Sequence, residues 1–202
     1  ETVAPGVDAR EEITEQFETG ISAIDIIYPI GKGQRQLLFG PTSSGKTTFL
    51  RDIIINQQGK DVICIYAGVG KSKAFMARLA DTLFTKGAQD YTILMAALSE
   101  QQSSVSAIAP TVALFMAQHF CKEGREVLLI LDDLGSHAKY AREISLLMGQ
   151  IPGRQSYPGD IFYQHAHLLE LGGNFNKSFG NSSITLLPLI ETVIENFTDL
   201  VP

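Results

Sequence analysis

The 202-residue chain has no tryptophan, only two cysteines and no basic excess: 16 Lys and Arg stand against 22 Asp and Glu, a formal net charge of −6. Cys64 and Cys121 sit among apolar neighbours. Two such residues exclude a disulfide-built scaffold and read as buried free thiols, the pattern of a reducing compartment. The acidic balance excludes a broad attraction to nucleic acid or anionic lipid and leaves room only for a local basic patch. Long apolar runs are missing too. Stretches such as residues 127–131 fall far short of the ~20 residues that a membrane-spanning helix needs, so direct membrane insertion is not expected. The start carries Asp8, Glu11, Glu12, Glu15 and Glu18 in place of a basic segment followed by an apolar one. No signal or transit peptide is expected there, and the acidic residues read as a solvated face.

What is present is enough for a packed core. Hydrophobic residues make up 45% of the chain, and a chain of this length buries roughly 70% of the surface its unfolded form exposes. Short apolar runs at residues 36–39, 61–66, 91–95, 126–131 and 183–187 alternate with helically spaced segments at residues 46–57, 72–85, 104–121, 137–148 and 161–171. Several of these segments end near Gly59, Gly87, Gly124 and Gly149. The alternation predicts an α/β fold with a mostly parallel central sheet and helices on both faces. Residues 1–30 read as a lead-in segment and residues 31–202 as one domain. Pro110 falls inside the third helical pattern, so that helix is expected to start later or to kink. The row Val105, Ile108, Val112, Leu114 and Phe115 is expected in the core. Residues 149–160, GQIPGRQSYPGD, read as a functional loop, with Arg154 either on open surface or against a neighbouring subunit. His165 and His167 are two apart on a predicted helix and point to different faces, so no metal site is expected of them.

Residues 40–47 read GPTSSGKT, which satisfies G-x-x-x-x-G-K-[ST], follows the apolar run QLLF and opens the helical pattern TTFLRDIII. Small residues let such a loop curl so that backbone N–H groups around Ser43 to Lys46 point at one phosphate, with the helix N-terminus adding its positive dipole end. Gly40, Pro41, Thr42, Ser43, Ser44, Gly45, Lys46, Thr47 and Thr48 are therefore the candidate contacts for ATP or ADP. Lys46 is expected at the β and γ phosphates and the Thr47 hydroxyl on Mg²⁺. A second Mg²⁺ partner belongs at the end of another parallel strand, and VLLILDDL provides Asp132, the first polar residue after the apolar run, to hold a metal-bound water. Either Asp can instead cap the following helix, and for Asp133 both readings stand.

These residues resemble the nucleotide-binding domain of the α and β subunits of F-type ATP synthases, within the RecA-like P-loop ATPases. The segment ETGISAIDIIYPIGKGQRQLLFG is similar to the lead-in to the phosphate loop, LLILDDL to the metal-binding strand, and PGRQSYPGDIFYQHAHLLE to the signature that follows. GKGQRQ, the Asp132–Asp133 pair, YPGDIFY and SSITLLPLIET resemble the α, regulatory type, whereas LFG before the loop and YAGVG at residues 66–70 are closer to the β, catalytic type. The resemblance implies an α-type subunit binding Mg-ATP or Mg-ADP without catalysis. It also implies β-type catalytic subunits as partners in a hetero-hexameric ring, on the cytoplasmic side of a bacterial membrane or in an organellar matrix.

The departures from the family pattern bear on activity. After the Gly-Val-Gly turn the catalytic type is expected to carry a glutamate that orients the attacking water and the α type a glutamine; here the residue is Lys71. A cation cannot accept a proton from water, so the site lacks a base whichever way that side chain points. Pro41-Thr42-Ser43-Ser44 replaces an expected Arg-Gln-Thr stretch, which phosphate binding through backbone N–H groups tolerates. His167 and Leu171 stand where arginines are expected. Relative to the family, the chain is expected to start after a β-barrel crown and to end before an arginine finger and the adenine-pocket residues, so little or no turnover is expected of it. Two other readings remain: an assembly or scaffold protein with a vestigial nucleotide site, and an active ATPase of the protein-export type.

Overall fold

In the computed structural model, which describes residues 4–192 and Val201, the apolar runs of the sequence become strands, of which the three central ones are buried on both sides. In chain order the elements are β1 (Gln16–Phe17), α1 (Ser22–Ile27), β2 (Ile30–Gly31), β3 (Leu38–Pro41), α2 (Lys46–Ile55), β4 (Val62–Lys71) and α3 (Lys73–Thr85). There follow β5 (Thr92–Leu98), α4 (Ser103–Lys122), β6 (Glu126–Asp132), α5 (Leu134–Leu147), α6 (Ile161–Glu170), β7 (Gly173–Asn174) and β8 (Ser183–Thr192). Of the FTDLVP end, only Val201 falls within the described residues.

Period-two alternation builds two cores. In β4, Ile63, Ile65 and Ala67 face one layer and Val62, Cys64 and Tyr66 the other; β6 divides the same way into Val127, Leu129, Leu131 and Leu128, Ile130. The first layer is closed by Ala113, Leu114 and Ala117 of α4, Leu134 of α5 and Leu168 of α6. The second is closed by Leu50, Ile53 and Ile54 of α2 and Met76, Leu79 and Leu83 of α3. Leu128, Leu129, Ile130 and Leu131 are fully buried, each stabilising the fold by about 1.5–3 kcal/mol relative to exposure. The strands lie in the order β3, β8, β6, β4, β5, all parallel, with β7 antiparallel on β8. This is the α/β architecture, helices on both faces, that the alternation predicts. Because the five strands are parallel, the ends of β3, β8, β6 and β4 emerge along one edge, where ligands of open α/β sheets bind.

Within the lead-in segment β1 pairs antiparallel with β2, and Phe17 and Ile30 join the second core. Asp25 ties the connection, accepting from the Thr19 backbone N–H and hydroxyl at 2.9 and 2.7 Å and from Gly20 N–H at 2.9 Å. The third helix does not start late; α4 runs from Ser103 to Lys122 through Pro110. The expected core row of α4 mostly faces outward: Val105, Ile108, Val112 and Phe115 are 37%, 59%, 40% and 48% exposed, and only Leu114 is buried. The helix lies on β4, β5 and β6 through its small residues, with Ser106, Ala109, Pro110, Ala113 and Ala117 buried, because small side chains let backbone and sheet approach closely. By length and composition α4 is apolar enough to cross a membrane, against the expectation of no such segment; in this fold it packs its small-residue face on the sheet.

Candidate functional site

Strand β3 delivers the glycine-rich loop directly into α2, and the loop curls as the small residues allow. Ser43 has φ +66, and Gly45, at φ +88, is the N-cap of α2. Positive φ at Gly45 is a conformation that costs an L-residue about 1–2 kcal/mol, and a Cβ placed there would meet nothing within 4 Å, so the loop opens outward. No side chain caps the helix, which leaves its first backbone N–H groups without partners inside the helix. Residues 42–45 and Thr48 are exposed, and Pro41, Lys46 and Thr47 half-buried. Lys46 spans the loop from within: its ammonium donates to Gly40 O at 2.9 Å, Pro41 O at 2.6 Å and Ser44 Oγ at 3.2 Å. The nine loop residues predicted from the sequence are thus together at one mouth, with uncapped N–H groups and one cation, a chemistry suited to a phosphate chain.

Asp132 ends β6 on the same sheet edge. It is in register with Leu189 of β8, which pairs with Leu38 of β3, two residues before Gly40. Its carboxylate is fully buried: Lys71 Nζ forms an ion pair with Oδ1 at 2.6 Å, where no hydrogen-bond geometry is met, and the Tyr66 hydroxyl donates to Oδ2. Asp133 takes the capping role open to it in the sequence, as N-cap of α5 accepting from the Ser136 backbone N–H, with Lys71 Nζ 3.5 Å from its Oδ2.

Lys71 is therefore neither a solvent lysine nor a base. Its side chain is 14% exposed. Burial works against the charge, but Asp132, then Asp133 and Glu191, outweigh it and raise the ammonium's pKa above the ordinary lysine value. The Tyr66 hydroxyl is driven up by burial first and then by the Asp132 charge, so it stays a proton donor.

The direction of Lys71 has a local cause. The β4–β5 ladder slips between Val69 and Lys71, and Gly70 in the bulge has φ +68. Gly68 completes the space: a Cβ there would lie 3.3 Å from Lys71 Cγ and 2.9 Å from Met76 Sδ.

A divalent metal shared by Thr47 and Asp132 was the expectation. It would need Asp132 to hold a metal-bound water, yet Lys71 Nζ lies 2.6 Å from Oδ1 and the Tyr66 hydroxyl donates to Oδ2. With Lys71 Nζ against Oδ1, the Asp132 carboxylate does not fit Mg²⁺, and the cause is a side chain whose direction no spacing rule gives.

Sequence reasoning missed Tyr66 and Glu191. A tyrosine inside an otherwise apolar strand was the available signal for the first. Glu191 pairs in register with Gly40, the first loop residue, and its charge reaches Lys71. Beside it, Thr192 is in register with Pro41, and its Oγ1 is buried with no hydrogen-bond partner among the described residues.

Away from this edge, His137 and His165 meet, Nδ1 to Nε2 at 3.0 Å, while His137 Nε2 lies 3.0 Å from Ala107 O. A carbonyl only accepts, so His137 is protonated on Nε2, and its Nδ1 accepts from His165. The contact stitches α4, α5 and α6. His167 is exposed, as is Arg154 of the Pro-Gly loop. Both cysteines are free and buried, and burial pushes the Cys64 thiol up to about 12.

A parallel sheet flanked by helices, with a GxxxxGKT loop running from strand to helix and an aspartate pair two strands away, defines a P-loop nucleotide-binding α/β domain. The family model for the ATP synthase alpha/beta family, nucleotide-binding domain, matches residues 20–202, and the chain belongs to that family. It is 43% identical over all 202 residues to the ATP synthase subunit alpha of Clostridium kluyveri and 42% identical to that of Clostridium botulinum. The chain spans about 40% of the length of these relatives.

Proposed function

We propose that the chain acts as a non-catalytic, regulatory nucleotide-binding domain of the α type in a rotary F-type ATP synthase, binding ATP or ADP through residues 40–48. Its partners on this reading are β-type catalytic subunits in a hetero-hexameric ring, peripheral to a bacterial membrane or in an organellar matrix. The observation that carries the reading is Lys71. At the position where the family resemblance calls for a carboxylate base in the catalytic type, this chain has an ammonium locked to Asp132 at 2.6 Å. A group already protonated and paired cannot take a proton from water, while the loop chemistry needed for binding is intact.

The test is isothermal titration of the chain with ATP and with ADP, beside Lys46→Ala, followed by an assay for released phosphate. One-to-one binding is expected, weakened about tenfold or more in Lys46→Ala by loss of a charge-assisted contact, with no phosphate released. Equal affinities in parent and variant would refute the loop assignment, and steady turnover abolished by Asp132→Asn would select the export-type ATPase. The outward apolar row of α4, Val105, Ile108, Val112 and Phe115, favours a second reading, an assembly role with a vestigial site. Absence of nucleotide binding in both proteins would select that one.

A further inference from the structure

A bare carboxylate beside a phosphate-binding loop repels a polyphosphate, and a divalent cation is the usual means of reversing that repulsion. In this chain the carboxylate is already answered. Lys71 Nζ is 2.6 Å from Asp132 Oδ1 and 3.5 Å from Asp133 Oδ2, and it lies in the field of Glu191, the register partner of Gly40. The ammonium thus sits against the aspartate pair, in the field of the strand that neighbours the loop. Its stem is held by the bulge at Gly70 and the space over Gly68, and its charge lies 5.6 Å from the Phe75 ring centroid. Such a buried charge offsets that of the Asp132 carboxylate and opposes the entry of a second cation beside it.

We propose that Lys71 is a built-in counter-ion that replaces the divalent cation of this site, so that the chain binds a nucleoside di- or triphosphate independently of metal. The inference rests on the nucleotide-binding reading above. It concerns a residue in which this chain departs from the family pattern, and it makes the ligand the metal-free polyphosphate rather than its magnesium complex. On this account Lys46 supplies the cation of the loop, and Lys71 removes the need for a second one.

The experiment is isothermal titration of the chain with ADP and with ATP, each in excess EDTA and in excess Mg²⁺, for the parent, Lys71→Gln and Lys71→Arg. The parent is expected to bind with affinities within about threefold in the two buffers. Lys71→Gln is expected to lose about tenfold or more in EDTA, because the Asp132 charge then repels the phosphates uncompensated, and to recover part of that loss in Mg²⁺. Lys71→Arg keeps a cation there and is expected to keep the indifference to metal. A parent that binds about tenfold tighter with Mg²⁺ than with EDTA overturns the proposal, as does a Lys71→Gln variant equal to the parent in EDTA. Circular dichroism establishes whether Lys71→Gln is folded; if it is not, the two parent titrations decide the matter alone. A parent silent in both buffers refutes the nucleotide reading itself, an outcome distinct from metal-dependent binding.

Discussion

Replacing Lys71 by glutamine while leaving Asp132 in place strands a carboxylate that is fully buried. The Lys71 side chain is 14% exposed and the Asp132 side chain 1%, so the pair is close to the fully buried case, where loss of one partner costs about 3–5 kcal/mol. The Tyr66 hydroxyl still donates to the second carboxylate oxygen in the variant, which places the loss toward the lower end of that range. At about 2–4 °C per kcal/mol for a domain of this size, the melting temperature should fall by roughly 6–12 °C for a loss of about 3 kcal/mol. The partner variant Lys71→Gln/Asp132→Asn removes both charges and leaves two neutral groups of similar shape. It should recover most of the loss, ending within about 1–2 kcal/mol of the parent. Urea unfolding monitored by far-ultraviolet circular dichroism measures all three proteins. The reasoning fails if Lys71→Gln unfolds at the parent's urea concentration, or if the double variant is no more stable than the single one.

Two further outcomes are expected. Tyr66→Phe removes the donor to Asp132 Oδ2 and should cost about 1.5–3 kcal/mol, the worth of a hydrogen bond to a charged group, read from the urea midpoint; no change would place that hydroxyl outside the network. His165 has its pKa lowered from 6.5 to about 4, by burial first and then by His137. The neutral form is thus favoured in the fold, and between pH 4 and 6.5 the unfolded chain binds more protons. The contribution is present above pH 6.5 and is lost as pH falls through that window, on the order of 3 kcal/mol in full. His165→Gln should flatten this part of the stability profile between pH 7 and 4.5, and an unchanged profile would refute the assignment.

The phosphate loop was legible because its chemistry is local. Gly40 to Thr47 must curl and open a helix whatever surrounds them, and they do. The strands of the sheet were legible for the same reason, since continuous apolar runs such as residues 126–131 have no other stable placement than between two helical layers. The row on α4 was misread because both sides of that helix are apolar. Periodicity finds a stripe, but it cannot say that Ala109, Ala113 and Ala117 face the sheet because they are small while Ile108 and Phe115 face out. The lead-in was unreadable because its two-residue strands carry no periodicity of their own; they exist through Asp25 and through Phe17 and Ile30 entering a core built by distant residues.

The amino-acid order alone determined the fold class, the curled strand-to-helix loop at residues 40–47 and the presence of a cation in place of a carboxylate at residue 71. Each follows from near-neighbour chemistry: apolar period, glycine spacing and the charge of one side chain. Only the tertiary structure decided what Asp132 does. Its partners, Tyr66 and Lys71, come from another strand more than sixty positions earlier. They reach it because parallel pairing sets Gly68 against Asp132 and a bulge at Gly70 turns the lysine inward. Whether a carboxylate awaits a metal or is already neutralised depends on register and on one change of strand twist, and both are properties of the assembled sheet.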